Sequence, residues 1–267
     1  MAFRLGILGV GNMGEALLKG ILQKNAVEPE KILLFDQSAD RLKQMADTYA
    51  VDCAKSTDLL VRETDIVLLA AKPNVCESIL RDCADVLADK AILSIVTGWT
   101  KSDFHKFVPD CRVLCVMPNT PCMVGEGMCV FNKAHSLSAD EYAFAKTLFE
   151  AVGQVSEASG ELMPAVTAVS GSGPAYVYLF IEALADGGVL EGLPRQQAYQ
   201  LAAQTVLGAA KMVLETGIHP GALKDAVCSP GGTTIEAVSA LERAGLRAAV
   251  LDATATCANK AKQLQQK

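Results

Sequence analysis

Residues 227–242 read Val-Cys-Ser-Pro-Gly-Gly-Thr-Thr-Ile-Glu-Ala-Val-Ser-Ala-Leu-Glu, with three hydroxyls and a glycine pair immediately before an amphipathic helical stretch. That pattern suits a small anion. Gly231 and Gly232 open backbone conformations closed to other residues, while Ser229, Thr233 and Thr234 offer hydroxyl donors. The helix start adds unpaired N–H groups and the positive end of its dipole. A carboxylate could be held there without Arg or Lys; the plainer reading of the same residues is an ordinary turn and helix cap.

A second constellation opens the chain. Gly9-Val10-Gly11-Asn12-Met13-Gly14 fits Gly-x-Gly-x-x-Gly, directly after one predicted strand and at the start of a predicted helix. In that context Gly9 permits a tight turn, Gly11 lets the backbone approach a pyrophosphate, and Gly14 allows close helix packing. Asn12 and Met13 belong to the same loop. Asp36 closes the second predicted strand, where it would pair with a ribose 2′-hydroxyl and favour NAD over NADP. Gln37, Ser38 and Arg41 follow closely and would accommodate a 2′-phosphate if Asp36 turned aside, so NADPH and NADH both stay open.

Further polar residues fall at the C-terminal ends of predicted strands, where open parallel sheets bind ligands. These are Ala71-Lys72-Pro73, Thr97-Gly98 and Pro118-Asn119-Thr120-Pro121. Asn119 has the donors and acceptor to meet a nicotinamide amide or the substrate, whereas Lys72 also reads as a solvated loop residue. The chemistry implied is hydride transfer. Of the three histidines, none sits in an acid/base constellation, so a His–Asp relay is poorly supported. An imine substrate needs no such relay, because once protonated it is already electrophilic and has only to be aligned and held.

The elements that must position these residues change character along the chain. Apolar runs at Phe3–Gly9, Lys31–Asp36, Asp65–Ala71, Ala91–Val96 and Arg112–Met117 alternate with helical stretches at Asn12–Lys24, Ala39–Tyr49, Val75–Leu87 and Lys101–Phe107. Runs apolar on both faces and separated by helices predict a parallel sheet covered on each side. After Gly160 the strand signals stop: Glu161–Val169, Ala175–Leu190, Arg195–Thr216 and Thr233–Gln265 all carry helical spacing. The fold class is therefore α/β, a Rossmann-like dinucleotide-binding domain over residues 1–160 followed by an all-helical domain over 161–267. Stretches such as Ala198–Leu214 are apolar around most of their circumference, which predicts a homodimer through these helices.

Composition narrows the partners. A net charge of −6 without clustered Lys and Arg excludes nucleic acid and polybasic membrane contact as expectations. No apolar run reaches the ~18 residues of a membrane span and the chain enters a strand pattern at once, so a cytoplasmic location is expected. Nine cysteines, an odd number with no Cys-x-x-Cys, support neither a disulfide framework nor a metal site; most read as small buried hydrophobes, with Cys228 adjoining the anion segment.

The segment Leu223–Glu242 and the run Ala168-Val-Ser-Gly-Ser-Gly-Pro-Ala-Tyr176 resemble the signature of the pyrroline-5-carboxylate reductase family. Gly9–Gly14, Lys72-Pro73 and Pro118–Pro121 extend the resemblance along the whole chain. It implies reduction of the cyclic imino acid L-1-pyrroline-5-carboxylate to L-proline by NADPH or NADH, the last step of proline biosynthesis. It also implies an interlocked dimer, often a decamer built as a pentamer of dimers. Carried over by position, Ser229, Gly231, Gly232, Thr233 and Thr234 cradle the carboxylate, Thr234 also lies near the ring nitrogen, and Thr167 approaches that nitrogen from the other side. Ser170 and Ser172 read as serines where two helices meet closely. Rival readings are a related imine reductase, a beta-hydroxy-acid dehydrogenase or a non-catalytic dinucleotide sensor. Those dehydrogenases place a lysine in the helix after the junction, and Tyr176–Leu190 has none.

Overall fold

The computed structural model describes residues 3–265, so the outermost positions of the two expected domains, 1–2 and 266–267, lie outside the described residues. The apolar runs form strands β1 (Leu5–Leu8), β2 (Ile32–Phe35), β3 (Asp52–Cys53), β4 (Ile66–Leu69), β5 (Ala91–Ser94), β6 (Arg112–Met117), β7 (Gly127–Asn132) and β8 (Gly153–Ala158). They make one sheet in the order β3-β2-β1-β4-β5-β6-β7-β8. Pairing is parallel from β3 through β6. Order reverses between β1 and β4, the switch point at which doubly wound sheets open a ligand crevice.

Side-chain alternation sends these strands into two cores. Leu5, Ile7, Ile32, Leu34, Ile66 and Leu68 pack on one face, and Leu8, Leu33, Val67, Leu69 and Ile92 on the other. Each fully buried Leu or Ile contributes roughly 1.5–3 kcal/mol, so a strand buried on both faces is strongly held in register. Covering the sheet are α1 (Asn12–Gln23), α2 (Ala39–Tyr49), α3 (Thr57–Glu63), α4 (Pro73–Asp82), α5 (Ala84–Leu87), α6 (Lys101–His105) and α7 (Ala139–Glu150). The single helical stretch expected over Val75–Leu87 is two helices, divided at Cys83 (φ −115, ψ 17).

The parallel pairing expected of the five apolar runs holds, and two strands beyond them, β7 and β8, extend the sheet. β7 runs antiparallel to β6, and β8 returns parallel to β7. The physical reason is length: the connection 118–126 holds only the 3₁₀ turn Thr120–Val124, short of the roughly dozen residues a parallel crossover requires. Between β7 and β8 the chain has room for α7, and the pairing is parallel again.

Packing divides the described chain into two compact units, one ending at Ser172 and resumed from Cys257, the other spanning Gly173–Thr256. The first unit closes with α8 (Met163–Val166) and a π-turn, Thr167–Gly171. The second holds α9 (Gly173–Leu190), α10 (Arg195–Thr216), α11 (Pro220–Ala226), α12 (Thr233–Arg243) and the first part of α13 (Leu246–Gln265). The helical stretch Thr233–Gln265 is punctuated at Gly245, a glycine break that its sequence announces, with φ +77.

The second unit buries little of its own apolar surface. Its core cluster is Ala185, Ala198 and Ala202, backed by Ile181, Val189 and Leu193. Leu179, Leu214 and Leu251 are 66%, 83% and 71% exposed. So much exposed aliphatic surface marks a protein–protein interface. Among the described residues, no helix is long and apolar enough to cross a membrane.

Candidate active site

Parallel strands end together, and this brings several of the sequence-identified residues to one edge of the sheet. Gly9 follows β1, Asp36 follows β2, Ala71 and Lys72 follow β4, Thr97 and Gly98 follow β5, and Asn119 follows β6. The glycine loop is shaped by what cannot fit. At Gly9 (φ +96) a Cβ would stand 2.8 Å from the Ala70 carbonyl oxygen, and at Gly14 one would stand 2.1 Å from that of Gly9. Gly11 is different: nothing lies within 4 Å of its Cβ position. Protein therefore closes on two glycines and leaves the third open, just where α1 presents the free N–H groups of Asn12 and Met13. A pyrophosphate fits such a cradle.

Asp36 is turned inward onto this loop. Its Oδ2 accepts from the Val10 N–H at 2.9 Å and its Oδ1 from the Ser38 N–H at 2.9 Å. Arg41 braces the same turn by donating from Nε to the Val10 carbonyl at 3.0 Å and from Nη1 to Gln44 Oε1 at 3.0 Å. Its Nη2 pairs with the carboxylate of Glu15 in the first turn of α1. Tyr49 donates to the other Glu15 oxygen at 3.1 Å. Burial and that carboxylate push the Tyr49 phenol up, which keeps it a donor. Glu15 and Tyr49 are missed by sequence reasoning, since their meeting depends on α1 and α2 lying side by side.

Beyond the loop, Lys72 is exposed and caps α4, with Pro73 at its first position. Thr97, Gly98, Met117, Thr167 and Ser172 help line a cavity of ≈ 400 Å³. Asn119 stands beside it with its side chain engaged within the protein: Nδ2 donates to the Ser170 carbonyl at 3.2 Å, and Oδ1 accepts from the Met128 N–H at 2.9 Å. It braces the π-turn against β7. Thr167 donates its hydroxyl proton to the Met163 carbonyl at 2.9 Å, leaving the oxygen's lone pairs for a ligand N–H. The buried Ser170 hydroxyl has no partner among the described residues, an orphan that sequence reading assigned to helix contact.

The hydroxyl-rich segment lies in the second unit. Gly232 N–H donates to the Ser229 carbonyl at 3.0 Å, closing a turn with Pro230 and then Gly231 (φ +65) at its centre, as a type II turn demands. A Cβ on Gly232 would meet Ser229 Oγ at 2.3 Å, so the glycine lets that hydroxyl lie over the start of α12. Gly232 is the extended N-cap, and Thr233 and Thr234 are the first two helical residues. Ser229, Thr233 and Thr234 are exposed, with free N–H groups beside them. No cation is needed for such a site to hold a carboxylate.

Most of the cysteines are packed as small hydrophobes. Five of the nine are buried, and desolvation pushes the thiols of Cys76 and Cys115 up to about 12 and that of Cys111 up to about 11. Cys228 is half-buried and Cys257 donates to Ser172 Oγ at 3.2 Å.

Residues 160–264 match the family described as pyrroline-5-carboxylate reductase dimerisation, which accounts for the uncovered helical surface as a homodimer interface. Residues 4–98 match the family of coenzyme F420-dependent NADP oxidoreductases. The chain is 41% identical to the pyrroline-5-carboxylate reductase of Escherichia coli over 99% of both chains. It is 42% identical to that of Synechocystis over 100% of both. Among solved structures, a pyrroline-5-carboxylate reductase from Coxiella burnetii superposes with a TM-score of 0.92 at 31% identity, covering 100% of each chain. The Plasmodium falciparum pyrroline carboxylate reductase with NADP bound gives 0.88 at 33%, covering 98% of each. A doubly wound sheet with an open glycine cradle, a separate hydroxyl-lined helix start, and sequence kinship along its full length together make this chain a member of the pyrroline-5-carboxylate reductase family.

Proposed function

We propose that this chain reduces L-1-pyrroline-5-carboxylate to L-proline with a reduced nicotinamide dinucleotide, NADPH or NADH, in the last step of proline biosynthesis. The observation that carries this reading is identity at 41% sustained over 99% of the chain to a curated reductase of that activity. When bound, the reduced nicotinamide supplies a hydride. Residues 1–160 form the dinucleotide-binding domain in this reading, and 161–267 the substrate-binding and dimerisation domain. Gly9, Gly11, Asn12, Met13 and Gly14 take the pyrophosphate and Asp36 the adenosine ribose. Ala71, Lys72, Pro73, Thr97, Gly98 and Asn119 form the nicotinamide half.

The protein's own part is orientation and charge. Ser229, Gly231, Gly232 and Thr233 hold the substrate carboxylate through hydroxyls and helix-start N–H groups, which fixes the ring without neutralising it by a cation. The protonated imine carries its N–H, and the C=N electron pair moves onto nitrogen as hydride arrives at the imine carbon, which becomes carbon 5 of proline. We assign the catalytic role to two hydroxyls, Thr234 for that N–H and Thr167 of the first unit. The Thr167 proton is directed to Met163, so this hydroxyl serves as acceptor. We further propose that the dimers gather into a decamer and that the enzyme works in the cytoplasm.

Turnover of pyrroline-5-carboxylate, the smaller pyrroline-2-carboxylate and a 3-hydroxy acid by the pure protein tests the reading. Nicotinamide oxidation should be fastest with pyrroline-5-carboxylate, by at least about tenfold in kcat/KM. Faster turnover of a 3-hydroxy acid, or tight nucleotide binding without turnover of any of the three, would overturn it.

A further inference from the structure

The adenosine end of the glycine loop carries two carboxylates and one guanidinium, and every polar atom of that set has an assignment. Asp36 is locked by the Val10 and Ser38 N–H groups, each at 2.9 Å, so its charge stays beside the loop and is not turned aside. Arg41 is the cation in contact with the loop. Its Nε is held by the Val10 carbonyl, its Nη1 by Gln44, and its Nη2 by the Glu15 carboxylate, with Arg41 and Glu15 side chains only 26% and 29% exposed.

We propose that Asp36 and Glu15 together make this chain select NADH over NADPH. The inference rests on the dinucleotide reading of the glycine loop. Asp36 acts by charge and shape: a free ribose 2′-hydroxyl can donate to its remaining lone pairs, whereas a 2′-phosphate brings like charge against a carboxylate that cannot move away. Glu15 acts through Arg41. A guanidinium is the group best suited to a phosphate, because its planar fork matches two phosphate oxygens. Here the terminal nitrogen that would reach out is paired with Glu15, whose second oxygen is held by Tyr49 at 3.1 Å. Glu15 is therefore a positioning residue that withholds the cation a 2′-phosphate requires.

Direct binding tests this without reliance on turnover. Dissociation constants for NADH and NADPH are measured by the quenching and enhancement of nicotinamide fluorescence on the wild-type chain, Asp36→Asn, Glu15→Gln, and Glu15→Gln combined with Arg41→Met. The wild-type chain should bind NADH at least about tenfold more tightly than NADPH. Asp36→Asn keeps the side-chain shape and one of its two N–H acceptors, and should tighten NADPH relative to NADH. Glu15→Gln keeps an acceptor for Tyr49; it should tighten NADPH by roughly threefold or more with NADH unchanged, and adding Arg41→Met should remove that gain. Equal or tighter binding of NADPH by the wild-type chain would overturn the proposal while leaving the dinucleotide reading intact. So would a Glu15→Gln effect equal on both nucleotides, the mark of a merely structural role. Binding of neither nucleotide would overturn the dinucleotide reading itself.

Discussion

Gly14→Ala is expected to weaken NADH binding about a hundredfold and to lower stability, whereas Gly11→Ala is expected to weaken binding alone. The contrast follows from what surrounds each glycine. A methyl on Gly14 would sit 2.1 Å from the Gly9 carbonyl oxygen, far inside contact. Gly9 cannot retreat: its N–H is bonded to the Phe35 carbonyl at 2.9 Å, and its own back is against Ala70. The start of α1 must therefore move outward, taking the Asn12 and Met13 N–H groups off the line on which a pyrophosphate would be held. Overpacking against rigid backbone costs about 3 kcal/mol, which at 1.4 kcal/mol per tenfold is about two decades in affinity. Gly11, with φ −65 and open space around it, accepts a methyl without strain from the protein. Only a ligand would feel that methyl. Nucleotide titration and urea denaturation of both variants separate the two effects; a Gly11→Ala protein that binds NADH like the wild type would place the nucleotide elsewhere.

Thr234→Ala is expected to cut kcat/KM for pyrroline-5-carboxylate five- to a hundredfold, matching about 1–3 kcal/mol for a hydrogen bond lost in the transition state. Folding should be indifferent to the change. Thr234 is exposed in the first turn of α12, where alanine is the better helix former. Ser229→Ala makes the useful comparison, because a group that only anchors the carboxylate binds ground state and transition state alike. Its loss should raise KM and leave kcat nearly unchanged, while Thr234→Ala lowers kcat as well. Thr234→Ser, which restores the oxygen, should recover much of the rate. Wild-type kcat/KM in Thr234→Ala at subsaturating substrate would remove Thr234 from the chemistry.

Legibility in the sequence depended on whether the governing interaction was local. The strands β1, β2, β4, β5 and β6 lie within the apolar runs that announce them, and α2 and α10 match their expected bounds, because burial on two faces or one leaves a periodic trace. β3 is two exposed residues and leaves none. β8 was hidden too, since Gln154, Ser156 and Glu157 are exposed and Gly153 takes φ +152 where it crosses Gly127. The direction of β7 was readable in principle from the short connection before it. At the site, the glycine loop and the Ser229–Thr234 turn are local motifs, and their backbone geometry follows from their own residues. Glu15, Arg41 and Tyr49 meet only through the packing of α1 and α2, so no spacing rule reveals them. Asn119 has a further role that its identity alone does not reveal: its amide braces the Ser170 carbonyl and the Met128 N–H.

In the proposed reaction, hydride passes from a nicotinamide to the imine carbon of a substrate held by its carboxylate. The decisive measurement uses reduced cofactor carrying deuterium at both carbon-4 positions, with the proline formed examined by mass spectrometry and proton NMR. One deuterium per proline is expected, located at carbon 5, with one cofactor oxidised for each proline made. Proline without deuterium, deuterium at another carbon, or cofactor oxidation without proline would contradict it.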